Sequence, residues 1–203
     1  MSEGSRKKCK ILFMGDSFVG KSCLVSRIID NQFNEGYIQT IGYEDHWKLI
    51  DINNESRIIA HIIDISGDHT QSSSILKCKE VDIAFVVFDL TSRSSYRNIQ
   101  EWIMRLENST SDTRQIILIG NKSDLTNEYE IDDDEIMKFI KMLSLPYYKV
   151  SARDRENFPE TFHHILQTYR KDFRRASRKY SIIDKFSNKD TEESDCCPSC
   201  NLI

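Results

Sequence analysis

Ile11-Leu12-Phe13-Met14-Gly15-Asp16-Ser17-Phe18-Val19-Gly20-Lys21-Ser22 is the stretch on which the fold turns. Four consecutive apolar residues, rather than an alternating pattern, suit a strand covered on both faces, as in a parallel sheet. The run ends in Gly15, and Gly15 to Ser22 satisfies G-x-x-x-x-G-K-[ST] just before a helical stretch. The glycines let the backbone curl so that its N–H groups point inward at phosphate oxygens, and the helix N-terminus adds its positive end. Gly15, Asp16, Ser17, Phe18, Val19, Gly20, Lys21, Ser22 and Cys23 therefore form the expected phosphate cradle. Lys21 would place a cation on the β- and γ-phosphates, and the Ser22 hydroxyl would ligate Mg²⁺. The bland alternative is a plain glycine-rich turn before a helix, which the strand before it and the helix after it make less fitting.

Further apolar runs, Ile83–Phe88 and Ile116–Ile119, end at Asp89 and Gly120. Ile136, Phe139, Ile140 and Leu143 recur at helical spacing, as do Phe158, Phe162, Ile165, Leu166, Tyr169 and Phe173. Strand and helix in alternation predict an α/β domain. His46–Ile52 and Arg57–Ile65 read as a hairpin turning at Asn53-Asn54.

Two strings choose the base. Asn121-Lys122-Ser123-Asp124 follows the run Ile116–Gly120, and Ser151-Ala152-Arg153 follows Tyr147–Val150. The Asp124 carboxylate can accept from guanine N1–H and the 2-amino group, donors that adenine does not present there. Asn121 and Lys122 can brace the base and the phosphate loop, and the Ala152 N–H would meet guanine O6. A small-molecule P-loop kinase is disfavoured, because it gives no account of Asn121–Asp124 or of the terminal cysteines.

With these motifs in place the chain resembles the Ras superfamily of small GTPases over about residues 8–175, and most closely its Rab branch. Phe33-Asn34-Glu35-Gly36-Tyr37-Ile38-Gln39-Thr40-Ile41-Gly42 is similar to the Rab switch I stretch, and Asp89-Leu90-Thr91, Ser94, Tyr96 and Trp102 to the region after the fourth strand. The resemblance implies a single P-loop GTPase domain with a mostly parallel six-stranded sheet and helices on both faces. It implies Mg²⁺ as cofactor, GTP and GDP as ligands, and an exchange factor, activating protein and effectors as partners at the switch regions. It further implies that Thr40 ligates Mg²⁺ with GTP bound, that Phe33 packs on the guanine, and that Tyr37 folds over the phosphates.

Asp64-Ile65-Ser66-Gly67-Asp68-His69 occupies the switch II position, where the family has Asp-Thr-Ala-Gly-Gln-Glu. Asp64 would hold an Mg²⁺-bound water, making Ser22, Thr40 and Asp64 the metal set. The Gly67 N–H would sense the γ-phosphate. Lys21, Gly67 and Asp68 are the candidate catalytic positions, but Asp68 replaces the glutamine that orients the attacking water. Its negative charge opposes charge developing on phosphate. Slow hydrolysis is expected; a nucleotide-binding interaction module with little or no hydrolysis is the alternative. Tyr43-Glu44-Asp45 also departs from the Val-Asp-Phe usual in Rab proteins, and Ile63 stands where they have Trp.

The net charge of −4 gives no reason to expect nucleic acid. No secretory signal or window of about 18 apolar residues is found. Residues 1–7 read as a flexible N-terminus and 176–203 as a disordered, hypervariable tail. Between Arg170 and Lys179 six basic residues face one acidic; from Ser187 to Asp195 four acidic face one basic. Cys9, Cys23 and Cys78 are isolated thiols, whereas Cys196, Cys197 and Cys200 crowd the end. A metal knuckle lacks its fourth ligand. Lipidation fits better: Cys200-Asn201-Leu202-Ile203 resembles a prenylation box and Cys196-Cys197 the paired cysteines of Rab tails. Two lipid chains anchor far better than one. The expectation is a cytoplasmic protein reversibly attached through prenyl groups to the cytosolic face of an intracellular membrane.

Overall fold

The period-2 geometry of a strand splits the core in two. In a computed structural model the chain runs β1 (Lys7–Met14), α1 (Lys21–Asp30), β2 (Tyr43–Asn53), β3 (Ser56–Ile65), β4 (Ile83–Asp89), α2 (Arg93–Arg97), α3 (Ile99–Ser109), β5 (Gln115–Asn121), α4 (Asp133–Leu143), β6 (Tyr147–Lys149) and α5 (Asn157–Asp172). It describes residues 7–34, 36, 38–53, 56–68, 80–109, 115–154 and 157–172. Ile11 and Phe13 of β1 enter one buried cluster with Leu24, Val25 and Ile28 of α1 and Phe158, Phe162, Ile165 and Leu166 of α5. Leu12 and Met14, pointing the other way, join Trp102, Ile103 and Leu106 of α3 and Ile136 and Leu143 of α4. Every residue of β4 is buried, as a strand covered on both faces requires. Each fully buried large apolar side chain contributes about 1.5–3 kcal/mol relative to exposure.

The six strands lie in the order β2-β3-β1-β4-β5-β6. All neighbours are parallel except β2 and β3. The expected six-stranded, mostly parallel sheet with helices on both faces is therefore present. β2 runs longer than its apolar pattern suggests, starting at Tyr43 rather than His46, whereas β3 ends at Ile65 as expected.

The parallel strands share one direction, so their C-terminal ends gather along one edge of the sheet. Gly15 after β1, Ser66-Gly67 after β3, Asp89 ending β4, Asn121 ending β5 and Val150-Ser151 after β6 all arrive there. This edge is where open α/β sheets bind ligands. No helix among the described residues is long and apolar enough to cross a membrane. Residues 1–6, Tyr37, His69, Cys78 and residues 173–203 lie outside the described residues, and with them the Tyr37 role, the tail and Cys196, Cys197 and Cys200.

Candidate functional site

The loop between β1 and α1 lines a small cleft of about 60 Å³ together with Ile38, Gln39, Thr40 and Gly67. Gly15 has φ +137°, and a Cβ there would stand 2.1 Å from the Val87 carbonyl oxygen, so the loop can press against β4 only as glycine. Lys21 is buried, with Nζ donating to the Gly15 carbonyl at 3.0 Å and the Asp16 carbonyl at 2.7 Å. Burial lowers its pKa to about 8, against the pull of Asp64 and Asp16. An anionic ligand beside the ammonium would offset that desolvation.

Three oxygen-bearing side chains from three segments meet at the start of α1. The Ser22 hydroxyl is 3.0 Å from the Thr40 hydroxyl and donates at 2.5 Å to Asp64 Oδ2. Asp64 Oδ1 is buried without a hydrogen-bond partner. Burial pushes the Asp64 carboxyl up, opposed by the Ser22 hydrogen bond and by Lys21. Two hydroxyls and a carboxylate with an unused buried oxygen suit a small hard cation such as Mg²⁺, whose charge would hold Asp64 ionised. Among the described residues no group of three His, Cys, Asp or Glu forms a metal cluster, so any metal set here is a mixed hydroxyl–carboxylate one.

Gly67 faces the phosphate loop directly. A Cβ on it would fall 2.2 Å from the Ser17 nitrogen and 2.3 Å from the Asp16 carbonyl carbon. Any side chain would therefore push the segment after β3 off the loop. Asp68 is half-buried, and its N–H donates to Ser66 Oγ at 3.2 Å. Phe18 takes φ 66°, uncommon outside glycine, and lines the cleft while leaving 64% of its surface exposed. Cys23 is half-buried, and burial raises its thiol pKa.

At the other end, Asn121 joins the two expected base loops to the phosphate loop. Its Nδ2 donates to the Val19 carbonyl at 2.8 Å, and its Oδ1 accepts the Ala152 N–H at 3.0 Å. The Ala152 N–H, expected at guanine O6, is thus engaged with Asn121 and would have to be shared with a base. Ser151 Oγ donates to Asp124 Oδ1 at 2.6 Å and accepts from the Arg153 and Asp154 N–H groups at 3.1 Å. Lys122, with φ 64°, pairs its ammonium with Asp89 Oδ2 at 2.5 Å. Phe33 is half-buried, with the Arg27 guanidinium 5.5 Å from its ring centroid.

Sequence reasoning missed Arg27, Asn98 and the polar side of Trp102. Arg27 is 4% exposed and donates to the carbonyls of Ala152 at 2.7 Å, Arg153 at 2.9 Å and Asn31 at 2.9 Å, tying α1 to the loop after β6. A lone arginine on a helix carries no signal of this. The Asp16 side chain, included in the phosphate cradle, turns away from it: Asn98 Nδ2 and Trp102 Nε1 donate to its two oxygens at 2.8 and 2.7 Å.

A glycine-rich loop between β1 and α1 on a six-stranded, mostly parallel sheet, with Asn121–Asp124 at the end of β5 and Ser151–Arg153 after β6, is the arrangement of a P-loop GTPase domain. A model of the Ras family matches residues 10–171, and the chain belongs to the Ras family. Proteins of that family are GTPase switches that bind GTP and GDP with Mg²⁺ and answer to regulators and effectors.

Proposed function

We propose that this protein is a Rab-like GTP/GDP switch that hydrolyses GTP slowly and recruits effectors to an intracellular membrane, in vesicle trafficking. The convergence of Ser22, Thr40 and Asp64 beside the buried Lys21 carries the nucleotide and metal part of this reading. Ser22 and Thr40 would ligate Mg²⁺ and Asp64 would hold one of its waters, while Lys21 and the Gly15–Cys23 backbone hold the phosphates. Bound there, Mg²⁺ would supply positive charge against the phosphates. Asp124 reads guanine, its carboxylate oriented by Ser151. By the family resemblance Phe33 would pack on the guanine and Tyr37 would fold over the phosphates, and Lys122 and Arg153 would complete the base loops.

The slow rate is argued from Asp68. An ionised carboxylate cannot donate a hydrogen bond to phosphate, and its charge opposes the γ-phosphate. That same residue favours a second reading, a guanine-nucleotide-dependent interaction module with almost no turnover. Single-turnover GTP hydrolysis by wild type and Asp68→Gln separates the two. A slow but measurable wild-type rate supports a switch, and a rate equal to GTP decay in buffer supports the module. The Rab assignment rests on Thr40-Ile41-Gly42 and the terminal cysteines. Membrane attachment through Cys196, Cys197 or Cys200 is read from sequence alone.

A further inference from the structure

Asp16 is a puzzle for a phosphate cradle. It sits one residue inside the loop, where an ionised carboxylate would repel a polyphosphate. The chain deals with the charge from a distance of more than eighty residues. Asn98, between α2 and α3, and Trp102, one helical turn further on, share a helix face at i, i+4 spacing. Their N–H groups meet the two Asp16 oxygens at 2.8 and 2.7 Å, short charge-assisted bonds, and Trp102 itself is 2% exposed. The Asp16 carbonyl, on the same residue, accepts from Lys21 Nζ at 2.7 Å. The next peptide packs so closely on Gly67 that no Cβ would fit.

We infer that Asn98 and Trp102 are positioning residues for the phosphate loop: they hold the Asp16 carboxylate off the phosphates and so set how long the nucleotide stays bound. The inference rests on the cleft being the guanine-nucleotide site and goes beyond it, because neither side chain lies in a recognised nucleotide-binding string. A tryptophan in the core of α3 thereby takes part in ligand retention as well as packing.

The test is a pair of double-mutant cycles on the full chain, read by dissociation of a fluorescent GDP. Trp102→Phe keeps an aromatic ring and loses the N–H; Asn98→Ala removes the other donor and spares the core if the first variant folds poorly. Each should speed GDP release about tenfold with Asp16 present, and by less than about twofold in an Asp16→Ala background. A core defect would instead accelerate release equally in both backgrounds, which overturns the inference, as does no acceleration beside Asp16. In a Trp47→Phe background Trp102 is the one tryptophan left of two. There, Asp16→Ala should move its indole N–H resonance upfield, and an unmoved resonance counts against the clamp. Failure of wild type to retain GDP would overturn both this inference and the functional reading; retention without coupling overturns this one alone.

Discussion

The Ser151 hydroxyl donates to the Asp124 carboxylate at 2.6 Å, so the residue proposed to select the base is aimed by a residue from the loop after β6. Asp124→Asn should weaken GTP binding and favour xanthine nucleotides, which carry an acceptor at the 2-position. Each lost charge-assisted bond is worth about 1.5–3 kcal/mol. Ser151→Ala should weaken GTP binding less, by about 1 kcal/mol, since it removes the aim and leaves the reader. Competition titrations with GTP and xanthosine triphosphate measure both; unchanged GTP affinity in Asp124→Asn would remove Asp124 from the role.

Ser22 meets Thr40 and Asp64 through one hydroxyl oxygen. Ser22→Asn should therefore impair GTP binding more than GDP binding, because Thr40 is expected to join the metal set with GTP alone. Chelation should speed nucleotide release in wild type and matter less in the variant. Equal loss for both nucleotides, with full chelator sensitivity retained, would contradict the assignment.

Hydrolysis in Ras, with its glutamine, runs at about 3–5 × 10⁻⁴ s⁻¹. Wild type should turn over more slowly, and Asp68→Gln should raise the single-turnover rate or restore response to an activating protein. A wild-type rate matching that of a glutamine-bearing relative would show that Asp68 is no handicap.

Arg27 is buried and satisfies three backbone carbonyls. Arg27→Met, similar in length but without donors, leaves those acceptors unpaired at about 1–3 kcal/mol each where water cannot reach them. A lower melting temperature and faster GDP release together are expected, because α1 and the loop after β6 would loosen as one. A melting curve unchanged from wild type would show that water replaces all three bonds.

Replacing Cys196, Cys197 and Cys200 together by Ser should move the protein from membrane to soluble fractions. Mass spectrometry of the mature tail decides it: an unmodified wild-type tail excludes lipidation. Modification of Cys200 alone would favour the prenylation box over the paired-cysteine reading.

Much of the fold was legible because parallel strands leave a distinctive trace. Ile11–Met14, Ile83–Phe88 and Ile116–Ile119 are continuous apolar runs for the same reason that β4 is wholly buried. The start of β2 was less legible because exposed residues beginning at Tyr43 give no apolar signal there. The break between α2 and α3 at Asn98 was not visible, since a helix end held by Ser94 and Tyr96 carbonyls leaves no composition mark. In the site, contiguous strings were readable because neighbouring residues must act together. Asn98 and Trp102 each reach Asp16 through one bond across the sequence, and Arg27 bonds three backbone carbonyls, two of them in the distant loop after β6; no local pattern encodes such bonds.

Asn121 gives one amide two opposite duties, a donor to Val19 and an acceptor for Ala152. The groups that would grip the base and those that would grip the phosphates are therefore not independent handles on the ligand. A partner prying at either end must strain the same side chain, and the disturbance arrives at the far end without crossing the core. Release of the nucleotide would then be a concerted letting-go: a catalyst of exchange needs purchase on one end of the cleft to loosen both.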